Sequence, residues 1–231
     1  MTSASIDQSH LLTLLQLASP ALPVGAYSYS EGVETLATKG MITSGADLLK
    51  WLTHELSWGA IRVETAVMGW SYEAAAQLDF AAIARWNEWL SAFRETEELR
   101  SQSWQMGRSL LRLFSDLEPT LAAQLPEWMW HTNCNYAIVY GLIAQAWQIP
   151  LNAAGLAYLQ SWAANLVSAG VRVVPLGQTE GQRLMRQLIK PLQETYKAIQ
   201  TMTETDLTAC SWGVSLASMQ HETQYSRLFR S

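Results

Sequence analysis

Cysteine is scarce in this sequence. The 231 residues contain two, Cys134 and Cys210, which excludes a disulfide framework and reads as a pair of reduced thiols in a cytoplasmic protein. Charge is scarce too: Asp, Glu, Lys and Arg make up 15% of the chain, against about 25% in an average soluble domain. A surface so poor in charge has to be covered by neutral side chains, by aromatics or by other subunits. Grouped basic residues are also missing. The formal net charge of −5 argues against nucleic acid as the main partner, because neutralising phosphates takes clustered Lys and Arg. No export signal is predicted, since the opening MTSASIDQSH has neither a basic nor an apolar region. Long apolar runs are absent as well. Trp128 to Val171 holds no Asp, Glu, Lys or Arg, yet Asn133, Asn135, Gln145, Gln148, Pro150, Asn152, Gln160 and Asn165 interrupt it. No stretch reaches the roughly 18–20 apolar residues of a membrane span, so buried core or subunit interface is the expected use, with no membrane.

What is abundant is apolar and helical. Half the residues are hydrophobic and eleven are Trp, a residue costly to expose and enriched at interfaces. Leu11, Leu14, Leu15 and Ala18 recur at helical spacing, and Ser19-Pro20 ends that segment. Ser28 and Glu31 form an S-x-x-E box that predicts a helix start, with Gly40 as its stop. Ser44 with Asp47 offers a second cap. Helices are expected around Ile61 to Gln77, from Asp79 with Ile83, Trp86, Leu90 and Phe93 on one face, and along ETEELRSQSWQMGRSLLRLF. Pro119 and Pro126 mark a break. Ala137 to Trp147 is apolar nearly all round and is placed at the centre of the fold. Gly155, Leu159, Trp162, Ala163, Leu166 and Gly170 trace a further helix with a small-residue seam. VRVVP, residues 171–175, is the one strand candidate, too short to found a sheet. Thr179 and Gln182 form a T-x-x-Q box for a helix that Pro191 should kink or split, and a last helix covers Ser211 to His221. The expectation is all-α: one single-domain helical bundle of roughly ten helices over residues 1–231, with 1–8 and 222–231 as flexible or partner-ordered ends.

Catalytic and metal patterns do not assemble. His131 and Cys134 make one H-x-x-C, which Cys210, His221 and Glu222 would have to complete, and a closed zinc site wants about four ligands. His54-Glu55 and His221-Glu222 are each half of H-E-x-x-H. Gly177 and Gly181 open a helix after VRVVPL but lack the G-K-[ST] of a phosphate loop; close helix packing explains the second glycine. There is no G-x-S-x-G elbow. No catalytic residue, cofactor or metal site is assigned, and the protein reads as not an enzyme.

Two segments mix polar and apolar residues unusually. In SPALPVGAYSYSEG, Pro20 and Pro23 stiffen the backbone, Gly25 permits a turn, and Tyr27 and Tyr29 lie beside a helix start. In HETQYSRLFRS, Tyr225, Leu228 and Phe229 are spaced for one helical face, and Arg227 and Arg230 carry planar donors. The tail is either a last turn docked in cis or an interface anchor.

These segments, with NYAIVYGLIAQAWQI, LQSWAANLVSAGVRVVPLGQTEGQRL and CSWGVSLASMQHETQYSRLFRS, resemble the urease accessory protein UreF family. The resemblance implies an all-α, homodimeric, non-enzymatic chaperone of the cytoplasm. It would bridge UreD (UreH in some organisms) and the GTPase UreG, so that nickel reaches apo-urease. It also implies partner-binding roles at Pro23, Gly25, Tyr27, Ser30 and Glu31, with Gly32 beside them, and at His221, Glu222, Tyr225, Arg227, Leu228 and Phe229, with Ser231 at the end. The charge-free helices of 137–167 are candidates for the core and the homodimer seam. The alternative is a GTPase-activating or fidelity-gating regulator of UreG, for which Arg62, Arg172 or Arg183 would reach the nucleotide.

Overall fold

The structure is a computed structural model that describes residues 7–230. It contains twelve α-helices and two short 3-10 turns, with no strand among the described residues. The order is α1 (Gln8–Leu17), α2 (Val33–Thr38), α3 (Gly45–Trp58), α4 (Ala60–Ala76), α5 (Phe80–Phe93), α6 (Glu97–Leu117), α7 (Pro119–Ala122), α8 (Trp128–His131), α9 (Tyr136–Ala146), α10 (Leu151–Val173), α11 (Gln178–Ile199) and α12 (Trp212–His221). The 3-10 turns cover Ala26–Ser28 and Glu204–Asp206.

Local chemistry sets several of the starts. The side chains of Asp7, Ser44, Asp79 and Thr96 accept backbone N–H groups of Ser9, Asp47, Ala82 and Leu99 at 2.9–3.3 Å, each covering a donor that the first helical turn leaves without a partner. Ser44 and Asp47 cap as the spacing predicts. The apolar helix also falls where expected: residues 137–144 of α9 are all buried, and α9 lies on α4 with α5, α6 and α10 around it. Gly141 makes that contact possible, because a Cβ there would sit 2.2 Å from the Met68 carbonyl oxygen of α4. Tyr136, Tyr140 and Tyr158 cluster against each other with centroids 5.0–5.7 Å apart, joining α9 to α10. On the far side α11 buries Leu184, Leu188, Leu192 and Ile199 against α10 and α3.

Four local expectations are corrected. VRVVP is no strand: Val171 to Val173 are the last turn of α10, and Val174, forced to be extended by Pro175, ends it. The Ser28–Glu31 box does not form. Gly25 and Gly32 both adopt left-handed backbone (φ 78° and 86°) and Glu31 joins them at φ 48°, so the chain turns tightly and α2 starts only at Val33. Thr179 is likewise inside α11, whose cap is Gly177 with no side-chain bond. Pro191 does not split α11. One lost backbone bond is outweighed by the buried stripe that continues through Leu188, Leu192 and Ile199. The break expected at Pro119 is there, between α6 and α7, and Pro119 itself is the first residue of α7, a position where a missing N–H costs nothing.

Candidate docking surface and the carboxylates beneath it

The chain after α12 is not helical. It runs as a strap over 222–230 back across α2 and α6 to the N-terminal loop. Tail and loop therefore meet within one chain: the Arg230 N–H donates to the Ser28 carbonyl at 2.8 Å. Arg172 of α10 closes the same corner, donating to the Tyr27 carbonyl at 3.3 Å while its guanidinium stands 5.7 Å from the Phe229 ring centre. Inside the corner, Tyr29 donates to Gln105 at 2.8 Å, and burial pushes its phenol up against the opposing effect of Arg230.

Two carboxylates hold the strap. Glu34 of α2, 5% exposed, accepts the Leu228 N–H on one oxygen at 2.7 Å and the Phe229 N–H on the other at 3.0 Å. Glu98 of α6 accepts from the Arg227 guanidinium at 3.1 Å. His221, fully buried at the end of α12, lies between them, with Nδ1 3.0 Å from Glu98 and Nε2 3.3 Å from Glu34.

The residues singled out in the sequence divide accordingly. Ser30, His221 and Phe229 are buried in the chain's own interior. Glu31 points inward too, accepting from Gln102 at 2.8 Å and from the Trp162 indole at 2.9 Å. Pro23, Tyr27, Glu222, Tyr225, Arg227 and Leu228 are exposed, with Tyr225 completely free of neighbouring surface and Leu228 63% accessible. Gly25 has open space where a side chain would be. Tyr225, Leu228 and Phe229 thus do not share a helical face, and only Phe229 seats the strap. Arg227 binds α6 and the strap's own carbonyls rather than the N-terminal loop. On α12, which precedes the strap, Trp212, Leu216 and Met219 leave an apolar stripe exposed.

Sequence reasoning missed a buried charged centre. Arg94, at the end of α5, pairs with Glu64 of α4 at 2.6 Å, with both side chains less than a tenth exposed. Tyr158 donates to Glu64 at 3.4 Å, and Ser211 donates to Glu55 at 3.3 Å. Burial pushes both Glu55 and Glu64 up to about 7. Glu31 and Glu95 add to the rise at each, whereas Ser211 opposes it at Glu55 and Arg94 at Glu64. A cavity of about 20 Å³ touches Glu31, Glu55, Glu64, Arg94 and Glu95, and a second of about 60 Å³ shares Glu31, Glu64 and Arg94. Trp51 Nε1, Arg94 Nε and Glu95 Oε2 are buried at the smaller one without a hydrogen-bond partner among the described residues, and that cavity is large enough for a bridging water, given the roughly 10–15 Å³ that one requires. The signal available in the sequence was a carboxylate inside an apolar helix, as in IRVETAVMG.

Among the described residues no group of three or more His, Cys, Asp or Glu is arranged to hold a metal ion. His131 is exposed and lies 3.5 Å from Glu127. The Cys134 thiol is buried, and burial pushes it up to about 11, so it stays protonated and is a poor ligand. Gly181 packs against Val171 and Val167 of α10, the helix-packing role expected for it. Among the described residues no helix is long and apolar enough to cross a membrane.

Fold and surface together define an all-α protein whose conspicuous exposed feature is a loop and a strap joined on one face. The UreF family model matches residues 42–189, more than half of the chain. A urease accessory protein UreF from Nostoc is 54% identical, each chain being covered in full. Its counterpart from Microcystis aeruginosa is 53% identical over 98% of this chain and all of its own, and that from Azoarcus is 42% identical over 96% and 95%. The chain belongs to the UreF family.

Proposed function

We propose that the protein is a urease maturation scaffold that docks UreD (UreH) and the GTPase UreG, so that nickel is inserted into apo-urease in the cytoplasm. It would act as a homodimer, with no cofactor of its own. The observation that carries this reading is the junction of strap and loop: Tyr27, Tyr225 and Leu228 stand exposed on a face whose backbone is fixed by Glu34, Glu98 and the Arg230–Ser28 bond. Rigid aromatic and aliphatic groups on an ordered backbone bind at a lower entropic cost than the same groups on a free tail. The helix from which the strap departs, α12, adds exposed apolar groups of its own at Trp212, Leu216 and Met219.

The test is copurification of the Tyr225→Ala, Leu228→Ala double variant with UreD and with UreG. Both side chains project into solvent, so stability should change by less than about 0.5 kcal/mol while recovery of a partner falls at least about tenfold, the mark of an anchor worth over 1 kcal/mol. Undiminished recovery of both partners sinks the assignment. The GTPase-activating reading gains one specific support. All three candidate arginines have a partner, Arg183 in Glu180, Arg62 in Met202 and Arg172 in the Tyr27 carbonyl, and of the three Arg172 is the one that lies, exposed, on the loop-and-strap face. GTP hydrolysis by UreG with wild type and with Arg172→Ala decides it: equal rates leave only the scaffold.

A further inference from the structure

Three features bear on how the loop-and-strap face is built. Leu228 and Phe229 lie outside any helix, so their backbone N–H groups have no secondary-structure partner and must find an acceptor elsewhere. Each finds one oxygen of Glu34, at 2.7 and 3.0 Å. The same carboxylate meets His221, the residue from which the strap departs, at 3.3 Å. Glu34 therefore grips both ends of the segment. The strap's side chains do less of this: Tyr225 and Leu228 are exposed, Gln224 accepts a single bond from Thr35 of α2 at 3.3 Å, and among the described strap residues Phe229 is the one that is buried. Glu98 also meets His221, at 3.0 Å, and holds the exposed Arg227 guanidinium, but it touches no strap N–H, so the backbone of the strap is gripped by Glu34.

We propose that Glu34 is the positioning residue of the docking face, a clasp whose two carboxylate oxygens fold the C-terminal strap onto the Ala26–Ser28 loop. The idea rests on the reading that this face docks partners, and it adds a residue outside both the loop and the strap to the determinants of docking. The chemistry is specific to a carboxylate. Glutamine at this position offers one oxygen and one NH2 group, so one of the two strap N–H groups would confront a donor. Aspartate keeps the charge but is one methylene too short to reach both.

The experiment is hydrogen–deuterium exchange of the full-length chain, comparing wild type with Glu34→Gln and Glu34→Asp, read at the strap and at α9. Loss of a charge-assisted hydrogen bond should speed strap exchange roughly tenfold to hundredfold, with α9 and the circular dichroism spectrum unchanged, and Glu34→Asp should fall between the two. Strap exchange equal to wild type in both variants overturns the clasp. So does acceleration of α9 in both, because Glu34 would then support the whole domain rather than the strap. The variants are next copurified with the two proposed partners, where reduced recovery is expected. A released strap with undiminished recovery leaves the clasp standing and overturns the docking role of the face, so the two ideas fail separately.

Discussion

Glutamine at position 55 should make the protein more stable at alkaline pH although a carboxylate is lost. Glu55 is 4% exposed on α3, it accepts a hydrogen bond from the Ser211 hydroxyl, and burial is the main cause that raises it from 4.5 to about 7. The folded chain therefore keeps a proton that the unfolded chain has released. Between about pH 4.5 and pH 7 the unfolded state binds fewer protons than the native one, so stability declines as pH rises through that window and levels off above it. At about 1.4 kcal/mol per pH unit, the full window is worth about 3 kcal/mol. Glutamine keeps the shape and can still accept from Ser211, but it has no charge to desolvate. Urea unfolding followed by circular dichroism at pH 5, 6, 7 and 8 should show the Glu55→Gln variant and wild type nearly level at pH 5. The variant should then gain on wild type progressively, to an advantage of up to about 3 kcal/mol at pH 8. Parallel stability curves, or a wild type that is the more stable at pH 8, would refute the desolvation argument.

Arg94→Met should cost about 3–5 kcal/mol at pH 8, because it strands the buried Glu64 carboxylate 2.6 Å from where the guanidinium was. The loss should shrink at pH 5, where Glu64, already raised to about 7 by burial, takes up a proton; the same urea series reads this, and a pH-independent loss contradicts it. Gly141→Ala places a methyl group 2.2 Å from the Met68 carbonyl oxygen, which backbone cannot relieve without parting α4 from α9. A loss of about 3 kcal/mol is expected, visible as a thermal midpoint lower by roughly 6–12 °C for a chain of this size, and an unchanged midpoint would mean that the two helices slide apart freely.

Much of the architecture was legible in the sequence, and for physical reasons. α9 was found because a segment apolar all round has no side to show to water, and indeed residues 137–144 are all buried. Asp47 behind Ser44 announced α3 because an N-cap needs only local geometry. Signals failed where the decisive partner is distant. The Ser28–Glu31 spacing reads as a box, but Gln102 and Trp162, more than seventy residues further on, draw the Glu31 carboxylate inward. VRVVP reads as strand by its β-branched residues, yet Pro175 merely ends a helix that packing against α11 has already fixed. The tail suffered most. Its composition left open a last turn docked in cis or an interface anchor; the segment does dock in cis, but helical spacing was the wrong ruler for a strap held through backbone N–H groups. Nothing in HETQYSRLFRS names Glu34, because the recognition runs to peptide groups that every residue carries.

The use of charge ties the interior to the surface. A chain with only 35 charged side chains, fifteen basic and twenty acidic, still withdraws Glu34, Glu55, Glu64 and Arg94 from water. Stability alone does not explain this, since well-packed apolar residues in place of a buried ion pair are often as stable or more so. Direction does explain it. An apolar contact at Glu34 could slip by a residue along the strap, whereas two oxygens matched to two successive N–H groups accept a single register. The same holds at Glu31, whose left-handed backbone conformation turns the loop toward Gln102 and Trp162 and leaves Tyr27 outside. With the loop fixed from within and the strap fixed by Glu34, the positions of Tyr27, Tyr225 and Leu228 relative to one another follow from interior carboxylates. The exposed face is thus specified by residues that no partner on that face would touch.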